Sequence, residues 1–295
     1  MSQTVERTFD KFTKTTHHDT YDFINPLKSD LTGKTVFVSG ASRGIGKETA
    51  LSYARAGASG IAIGARSSLT SLQVELKEAA KNAGRPIPKV VSVQLDVTDV
   101  KSVDAAIQKI KQELGGLDIL VNNAGYLEVW RPIHESDPQD WWKTWEINIK
   151  GVYLVTRAAL PLLLDTNGLK TIVNVSSIGA HYTFPGASSY QTGKLALLRF
   201  TEFTMAEYGE KGILAFSIHP GGVLTELAQN LPKQLLHQLT DTPNLSADAT
   251  VWLTKERREW LAGRYIAVDW DMEELEKLQK EIVAKDLLKV RLVVQ

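Results

Sequence analysis

One stretch near the amino terminus constrains the fold more than any other, because an apolar run passes through closely spaced glycines into a helical pattern. "KTVFVSG" (34–40) reads as a short buried strand, and "GIGKETALSYARAGA" (44–58) has apolar positions at helical spacing. Gly40, Gly44 and Gly46 stand at the junction. Glycine permits a tight bend and close backbone approach there, while the amides and dipole at the helix start attract a pyrophosphate. The stretch predicts a dinucleotide-binding unit.

The same alternation continues along the chain. Further strand-like runs lie at 60–65, 90–96, 117–125, 170–177, 212–222 and 264–269, with room for crossover helices between them. Repeated strand–helix–strand units imply parallel strands joined by right-handed crossovers. The predicted fold class is therefore α/β, a doubly wound parallel sheet (Rossmann fold) of about seven strands with helices on both faces.

The chain divides into a polar N-terminal extension, 1–30, and a single domain, 31–295, since no linker, composition break or internal repeat marks a second domain. Within the domain we expect a substrate loop at about 224–250. A charged helix is predicted at about 271–286, as a solvated face or an oligomer contact.

Composition excludes several classes of function. Thirty-four basic side chains balance 34 acidic ones, so there is no broad charge for binding nucleic acid or an anionic membrane. Cysteine is absent, which excludes disulfides and thiolate chemistry. The first thirty residues carry no secretory-type apolar block, and the histidines show no metal-ligand spacing. We expect a cytoplasmic protein that needs no metal, nucleic acid or membrane.

The glycine spacing in "SGASRGIG", Gly-x-x-x-Gly-x-Gly, resembles that of the short-chain dehydrogenase/reductase family, with Ser39 where the family usually has Thr. "LDVTD" and "NNAG" match the family in place and order, and the resemblance covers about 31–225. The ending of the chain is similar to that of fungal members. Together with the arguments from the phosphate loop, the resemblance implies a cofactor site formed by Gly40, Ser42, Arg43, Gly44, Ile45, Gly46, Arg66, Asp96, Val97, Asn123, Ala124, Gly125, Tyr190, Lys194, Pro220, Gly221, Val223 and Thr225.

A possible catalytic pair lies in "SSYQTGKLALLRF", where Tyr190 and Lys194 are four positions apart and share one face of a helix. Alone this spacing is weak evidence. Ser177 precedes Tyr190 by 13 positions, the separation found in the family, and Asn148 in "WEINIKG" takes the place of its fourth catalytic residue. The resemblance therefore implies a catalytic set of Asn148, Ser177, Tyr190 and Lys194.

These residue types suit hydride transfer. A hydride that reaches a carbonyl carbon leaves charge on the oxygen, so a placed acid must supply a proton. We expect the Lys194 ammonium to lower the pKa of Tyr190, the general acid/base, and Ser177 to donate a hydrogen bond to the substrate oxygen. By resemblance, Lys194 also holds the nicotinamide ribose, and Asn148 anchors a water that links Lys194 to solvent.

The end of the second strand bears on which cofactor binds. An NAD enzyme normally carries Asp or Glu there for the ribose hydroxyl, whereas this chain has Gly64, Ala65 and Arg66. The guanidinium groups of Arg66 and Arg43 are suited to bind a 2′-phosphate, and this favours NADP(H) as the cofactor. The alternative is that both arginines are ordinary surface residues.

Bulky side chains are frequent in the three segments expected to border the nicotinamide. They are Tyr126, Trp130, His181, Tyr182, Phe184, Leu224 and Leu227. They predict an apolar pocket for a ring-bearing ketone or aldehyde, although ordinary packing explains each one equally well. Trp141, Trp142 and Trp145 have helical spacing and are predicted to be packing residues.

The sequence as a whole favours an NADP(H)-dependent oxidoreductase that transfers hydride between nicotinamide and a carbonyl or secondary alcohol, working in the reductive direction on a small molecule. Enoyl reduction and alcohol oxidation remain open on the same scaffold, as does a non-catalytic NADP-binding sensor. The resemblance also implies a homodimer or homotetramer.

Overall fold

A single parallel sheet organises the protein. The computed structural model describes residues 8, 11–292 and 294. In the part it describes, seven strands take the order β3-β2-β1-β4-β5-β6-β7, and every neighbouring pair is parallel. The strands are β1 Thr35–Ser39, β2 Gly60–Ala65, β3 Lys89–Gln94, β4 Ile119–Asn122, β5 Thr171–Val175, β6 Leu214–His219 and β7 Tyr265–Ala267. This arrangement confirms the predicted doubly wound sheet.

Helices cover both faces of the sheet. They are α1 Gly44–Arg55, α2 Thr70–Asn82, α3 Val100–Leu114, α4 Pro138–Trp145, α5 Val152–Asp165, α6 Ser188–Tyr208, α7 Pro243–Thr254, α8 Met272–Lys277 and α9 Gln279–Ala284. Side chains alternate along β1, so Val36 and Val38 enter the core beneath α1 and α7. Phe37 enters the second core, beneath α3 and α5. Burial on both faces explains why the strands read as continuous apolar runs.

The long helical run between β4 and β5 is interrupted. Between α4 and α5 the chain makes a π-helical turn, Glu146–Gly151, and Asn148 is buried in it. The run 138–165 has the length and hydropathy of a membrane-crossing helix, but 56% of its most apolar window is buried inside the fold. More than half of this apolar window therefore packs inside the protein.

The N-terminal segment, defined here as residues 11–30, packs on the domain. Phe12 is buried with its ring centroid 5.2 Å from that of Trp270, and Ile24 is 1% exposed. The backbone N–H of His17 donates to the carbonyl of Asp269 at 2.7 Å. The segment thus joins the core at the far end of the sheet, beside β7.

Two predicted boundaries differ from the structure. The charged stretch predicted as one helix at 271–286 forms two short helices, α8 and α9, because the turn breaks at Leu278. The loop predicted at 224–250 ends earlier, since α7 starts at Pro243 and the Thr242 hydroxyl accepts the N–H of Leu245. The substrate loop is therefore taken below as residues 223–242.

Candidate active site

The predicted site residues meet at the carboxyl edge of the sheet, where β1, β4, β5 and β6 end. Ligands of open α/β sheets bind at this edge. Gly40 lies so close to the next turn that an added Cβ would stand 2.7 Å from Ala124 Cα, and one on Gly46 would stand 2.5 Å from the Gly40 carbonyl oxygen. Only glycine leaves the space at the start of α1 open. We call this space, bordered by Gly40, Gly46 and Ala124, the glycine cradle, and the residues present fit a bound pyrophosphate.

Ser39 and Asn123 hold the cradle in place. The Ser39 hydroxyl accepts the backbone N–H groups of Asn123 and Ala124 at 3.1 and 3.2 Å. The Asn123 side chain donates to the carbonyls of Ser39 and Gly40 at 3.0 and 3.1 Å. Serine therefore serves at this position through its hydroxyl, and the Asn123 side chain joins the end of β4 to the glycine turn.

The predicted adenosine side contains one carboxylate and two arginines. The backbone N–H and hydroxyl of Thr98 donate to Asp96 Oδ1 at 2.9 and 2.8 Å. The backbone hydrogen bond is the largest cause of a lowered Asp96 pKa, and the charge of Arg66 contributes. Arg66 is exposed just after β2. Arg43 is also exposed, and it forms an ion pair with Glu226 of the substrate loop, with Nη1 2.5 Å from Oε2.

Three of the four predicted catalytic residues, Ser177, Tyr190 and Lys194, lie together. The Ser177 hydroxyl interacts with the Tyr190 phenol and lowers its pKa. Lys194 is buried, its Nζ lies 5.5 Å from the centre of the Tyr190 ring, and its ammonium donates to the Val175 carbonyl at 2.8 Å. Both ends of the Asn148 amide bond the backbone of Tyr126, at 2.9 and 2.8 Å. The Asn148 side chain therefore fixes the turn that follows β4.

Burial dominates the electrostatics of this group. It raises the pKa of Tyr190 to about 12, and the nearby Glu128 charge adds to the rise while the Ser177 hydroxyl opposes it. Burial also lowers the pKa of Lys194 to about 8. The predicted lowering of the Tyr190 pKa by Lys194 is not what the structure shows, because desolvation of the phenolate outweighs its neighbours.

Glu128 is a site residue that the sequence did not reveal. Its carboxylate is buried and accepts the backbone N–H of Tyr190 at 2.9 Å and the hydroxyl of Thr144 at 3.1 Å. It thereby satisfies an open N–H in the first turn of α6. The only available signal was an acidic residue between apolar neighbours in "YLEVW", a pattern that surface strands share.

Three of the side chains predicted for the substrate pocket, Trp130, Tyr182 and Phe184, pack together. Trp130 stacks on Phe184 with ring centroids 6.1 Å apart, and Tyr182 lies 5.3 Å from Phe184. His181 instead packs edge-on against Tyr265, 4.6 Å away, beneath the site. An aromatic cluster thus stands in the segment between Ser177 and Tyr190.

The other aromatic residues are anchored elsewhere. Tyr126 donates its hydroxyl to Asp140 at 2.6 Å, and Trp141 donates its ring N–H to Ser188 at 3.0 Å. Trp141 also stacks on Trp145. Leu224 and Leu227, both exposed, lie on the substrate loop. Trp141 and Trp145 therefore behave as predicted for packing residues, whereas Trp142 is 59% exposed.

The remaining residues predicted to bind the cofactor lie at the same edge. Gly44, Ile45 and Gly46 begin α1, Pro220 and Gly221 follow β6, and Val223 and Thr225 start the substrate loop. Among the residues that the structure describes, no group of three or more His, Asp or Glu side chains is placed to hold a metal ion.

Fold and site together define a Rossmann-fold oxidoreductase built to bind a nicotinamide dinucleotide. Comparison with known proteins specifies the family: residues 34–236 match the family described as short chain dehydrogenase, and the chain belongs to it.

Relatives are similar over most of their length. The short chain dehydrogenase mpl6 of Monascus purpureus is 55% identical over 94% of this chain and 95% of its own. The short chain dehydrogenase pigC of Monascus ruber is 48% identical over 95% and 93%. These fungal relatives mark the chain as a fungal-type member.

Solved structures agree on the fold. A short-chain type dehydrogenase/reductase from Mycobacterium marinum superimposes with a TM-score of 0.71 at 28% identity, covering 84% of this chain and 98% of its own. Carveol dehydrogenase from Mycobacterium avium, solved in complex with NAD, has the same TM-score at 23% identity, over 82% and 98%. At that identity the second likeness concerns the fold alone.

Proposed function

We propose that this protein is an NADP(H)-dependent reductase of bulky or aromatic ketones or aldehydes, with Tyr190 as the general acid. The observation that carries the proposal is the packing of Ser177, Tyr190 and Lys194 beside the glycine cradle at the carboxyl edge of the sheet. A nicotinamide dinucleotide bound in that cradle supplies the hydride.

Side chains of the protein supply the proton that the substrate oxygen takes up. With a pKa of about 12, Tyr190 holds its proton at neutral pH and is ready to donate it to an oxygen that gains charge, which supports the reductive direction. Ser177 donates to the same oxygen and stabilises that charge. Lys194, protonated below a pKa of about 8, is the cation next to Tyr190 and restores its proton through solvent.

The choice of NADP(H) is supported by charge. β2 ends at Ala65 without a carboxylate, and Arg66 follows it, exposed. Arg43, also exposed, stands in the loop that would face the ribose. Two guanidinium groups and no competing acid at the end of β2 suit a 2′-phosphate.

The substrate class is supported by the aromatic cluster of Trp130, Tyr182 and Phe184. Its rings are 5.3 to 6.1 Å apart, and Phe184 is 44% exposed, so an apolar ring of a ligand has a face to stack on.

The deciding experiment follows the loss of NADPH absorbance with aromatic ketones and aldehydes, and compares NADH. Tyr190→Phe should lower kcat about a hundredfold or more while leaving NADPH affinity nearly unchanged, since only the acid is removed. A full rate in this variant would refute the role of Tyr190. Enones and secondary alcohols in the same panel test enoyl reduction and oxidation, and NADPH binding without any turnover would indicate a sensor.

We further propose a homo-oligomer, in the cytoplasm, that pairs through α5 and α6. Tyr153, Leu195 and Phe203 expose apolar area along these adjacent helices. Phe203→Glu should shift the mass measured by analytical ultracentrifugation to that of a monomer. An unchanged mass would place any interface elsewhere.

A further inference from the structure

The phosphate loop and the substrate loop contact each other directly. Arg43 lies just before α1 and Glu226 lies on the substrate loop, and their charged groups are 2.5 Å apart. Thr225, the residue before Glu226, has its methyl 3.3 Å from the point that a Cβ on Gly44 would occupy. The substrate loop therefore lies against the start of α1, where the phosphates of a dinucleotide would bind.

The position of Glu226 is set by contacts on either side of it. At the base of the substrate loop, Asp241 accepts the backbone N–H of Gly222 at 2.6 Å, and its other oxygen lies 2.6 Å from the His18 ring. Farther along, Asn230 donates to the Leu127 carbonyl at 2.7 Å. Because the loop is fixed at its base and along its length, Glu226 reaches Arg43 from a defined place.

We propose that Glu226 is a selectivity-determining residue of the cofactor site, which holds Arg43 until a 2′-phosphate takes the carboxylate's place. The inference rests on the proposed use of NADP(H). A guanidinium binds a carboxylate and a phosphate through the same donors, so Arg43 engages the 2′-phosphate by exchanging one partner for the other. NADH, which lacks that phosphate, leaves the Arg43–Glu226 pair intact.

The exchange has two consequences. Breaking the ion pair reduces the net gain from binding NADPH, and it frees the start of the substrate loop from the phosphate loop. Both side chains are exposed, 68% and 55%, so the pair is weak and screened by salt. Its effect on affinity is therefore small but measurable, and it decreases as ionic strength rises.

The test measures dissociation constants of NADPH and NADH by calorimetry for wild type, Glu226→Gln, Arg43→Met and the double variant. Glu226→Gln should tighten NADPH binding about twofold to fivefold at low salt, because the amide keeps the size of the side chain but releases Arg43. The gain should vanish in the Arg43→Met background, and the effect on NADH should be the same in both backgrounds. Glu210→Gln, an exposed carboxylate near the opposite edge of the sheet, is the matched control and should change neither constant.

Each outcome is informative. An NADPH constant unchanged by Glu226→Gln, or a gain that persists without Arg43, overturns this inference while leaving the proposed function intact. If wild type binds neither NADPH nor NADH, the proposed function itself fails. Equal melting temperatures for wild type and Glu226→Gln, measured without cofactor, would show that the change in affinity does not arise from a change in folding.

Discussion

Tyr190 is held from two directions, and both contacts affect its proton. Its backbone N–H donates to buried Glu128, and its phenol interacts with the Ser177 hydroxyl. The Glu128 charge disfavours the phenolate, while Ser177 favours it. The resemblance to the family gave Ser177, Tyr190 and Lys194 as candidates, but the sequence could not predict their protonation, because desolvation depends on the surrounding fold.

The pH dependence of reduction should reflect Lys194. The Tyr190 phenol stays protonated up to a pKa of about 12, whereas the Lys194 ammonium loses its proton near pH 8. The reductive kcat/KM should therefore be level below pH 8 and fall above it. In Lys194→Arg any remaining activity should lack this fall, since a guanidinium keeps its charge. A fall at the same pH in that variant would assign it to another group.

Gly46 tests the cradle at single-residue resolution. A Cβ added there would stand 2.3 Å from the Asn123 amide nitrogen and 2.5 Å from the Gly40 carbonyl oxygen. Gly46→Ala should lower the free energy of unfolding by about 1 to 3 kcal/mol and weaken NADPH binding, because the glycine turn must shift. Both are measured by denaturant titration and calorimetry. Gly116→Ala, where a Cβ would meet nothing within 4 Å, should do neither.

Individual elements were predictable to different degrees. β1 and α1 followed from apolar spacing and glycines, since local pattern and tertiary burial agree there. The π-helical turn at Glu146–Gly151 was not predicted, because its extra residue depends on Asn148 reaching the backbone of Tyr126 across the fold. The break between α8 and α9 likewise leaves a charged pattern that reads as continuous.

The packing of α1 on α7 depends on a buried acid. Asp248 accepts the hydroxyls of Ser52 and Thr20, each at 2.6 Å, and so joins both helices and the N-terminal segment. Burial raises its pKa above the ordinary value. Asp248→Ala should cost about 1 to 3 kcal/mol of stability, because the buried Ser52 hydroxyl loses its acceptor and Thr20 loses its bond to α7. The same change at exposed Asp165 should cost little in the same denaturant titration, and equal losses would contradict this role.

At the scale of the whole molecule, the packing of the N-terminal segment on the core is the feature that its polar composition did not predict. Its residues are mostly polar, but Phe12 and Ile24 enter the core, and its backbone bonds the region after β7. Polar patterning alone predicts a separate extension, because Phe12 and Ile24, twelve positions apart, leave no periodic apolar signal. The parallel, doubly wound sheet, by contrast, follows from the strand–helix alternation.

A substitution at Ile24 tests how much the N-terminal segment contributes to the stability of the domain. Ile24→Ala should lower the free energy of unfolding by about 2 to 4 kcal/mol, since its side chain is 1% exposed. Leu27→Ala, in the same segment but 51% exposed, should change it by less than about 1 kcal/mol. Thermal or denaturant unfolding followed by circular dichroism distinguishes the two. Similar, small effects of both would mean that the segment packs only loosely.

This connection between the two ends of the described chain affects the order in which the protein can fold during synthesis. The His17 ring bonds Asp271, a residue 254 positions later. A ribosome adding about 5 to 20 residues per second needs roughly 13 to 50 seconds to cover that interval. During that time Phe12 and Ile24 have no finished core to enter, so the N-terminal segment reaches its final place only after Asp271 has been made.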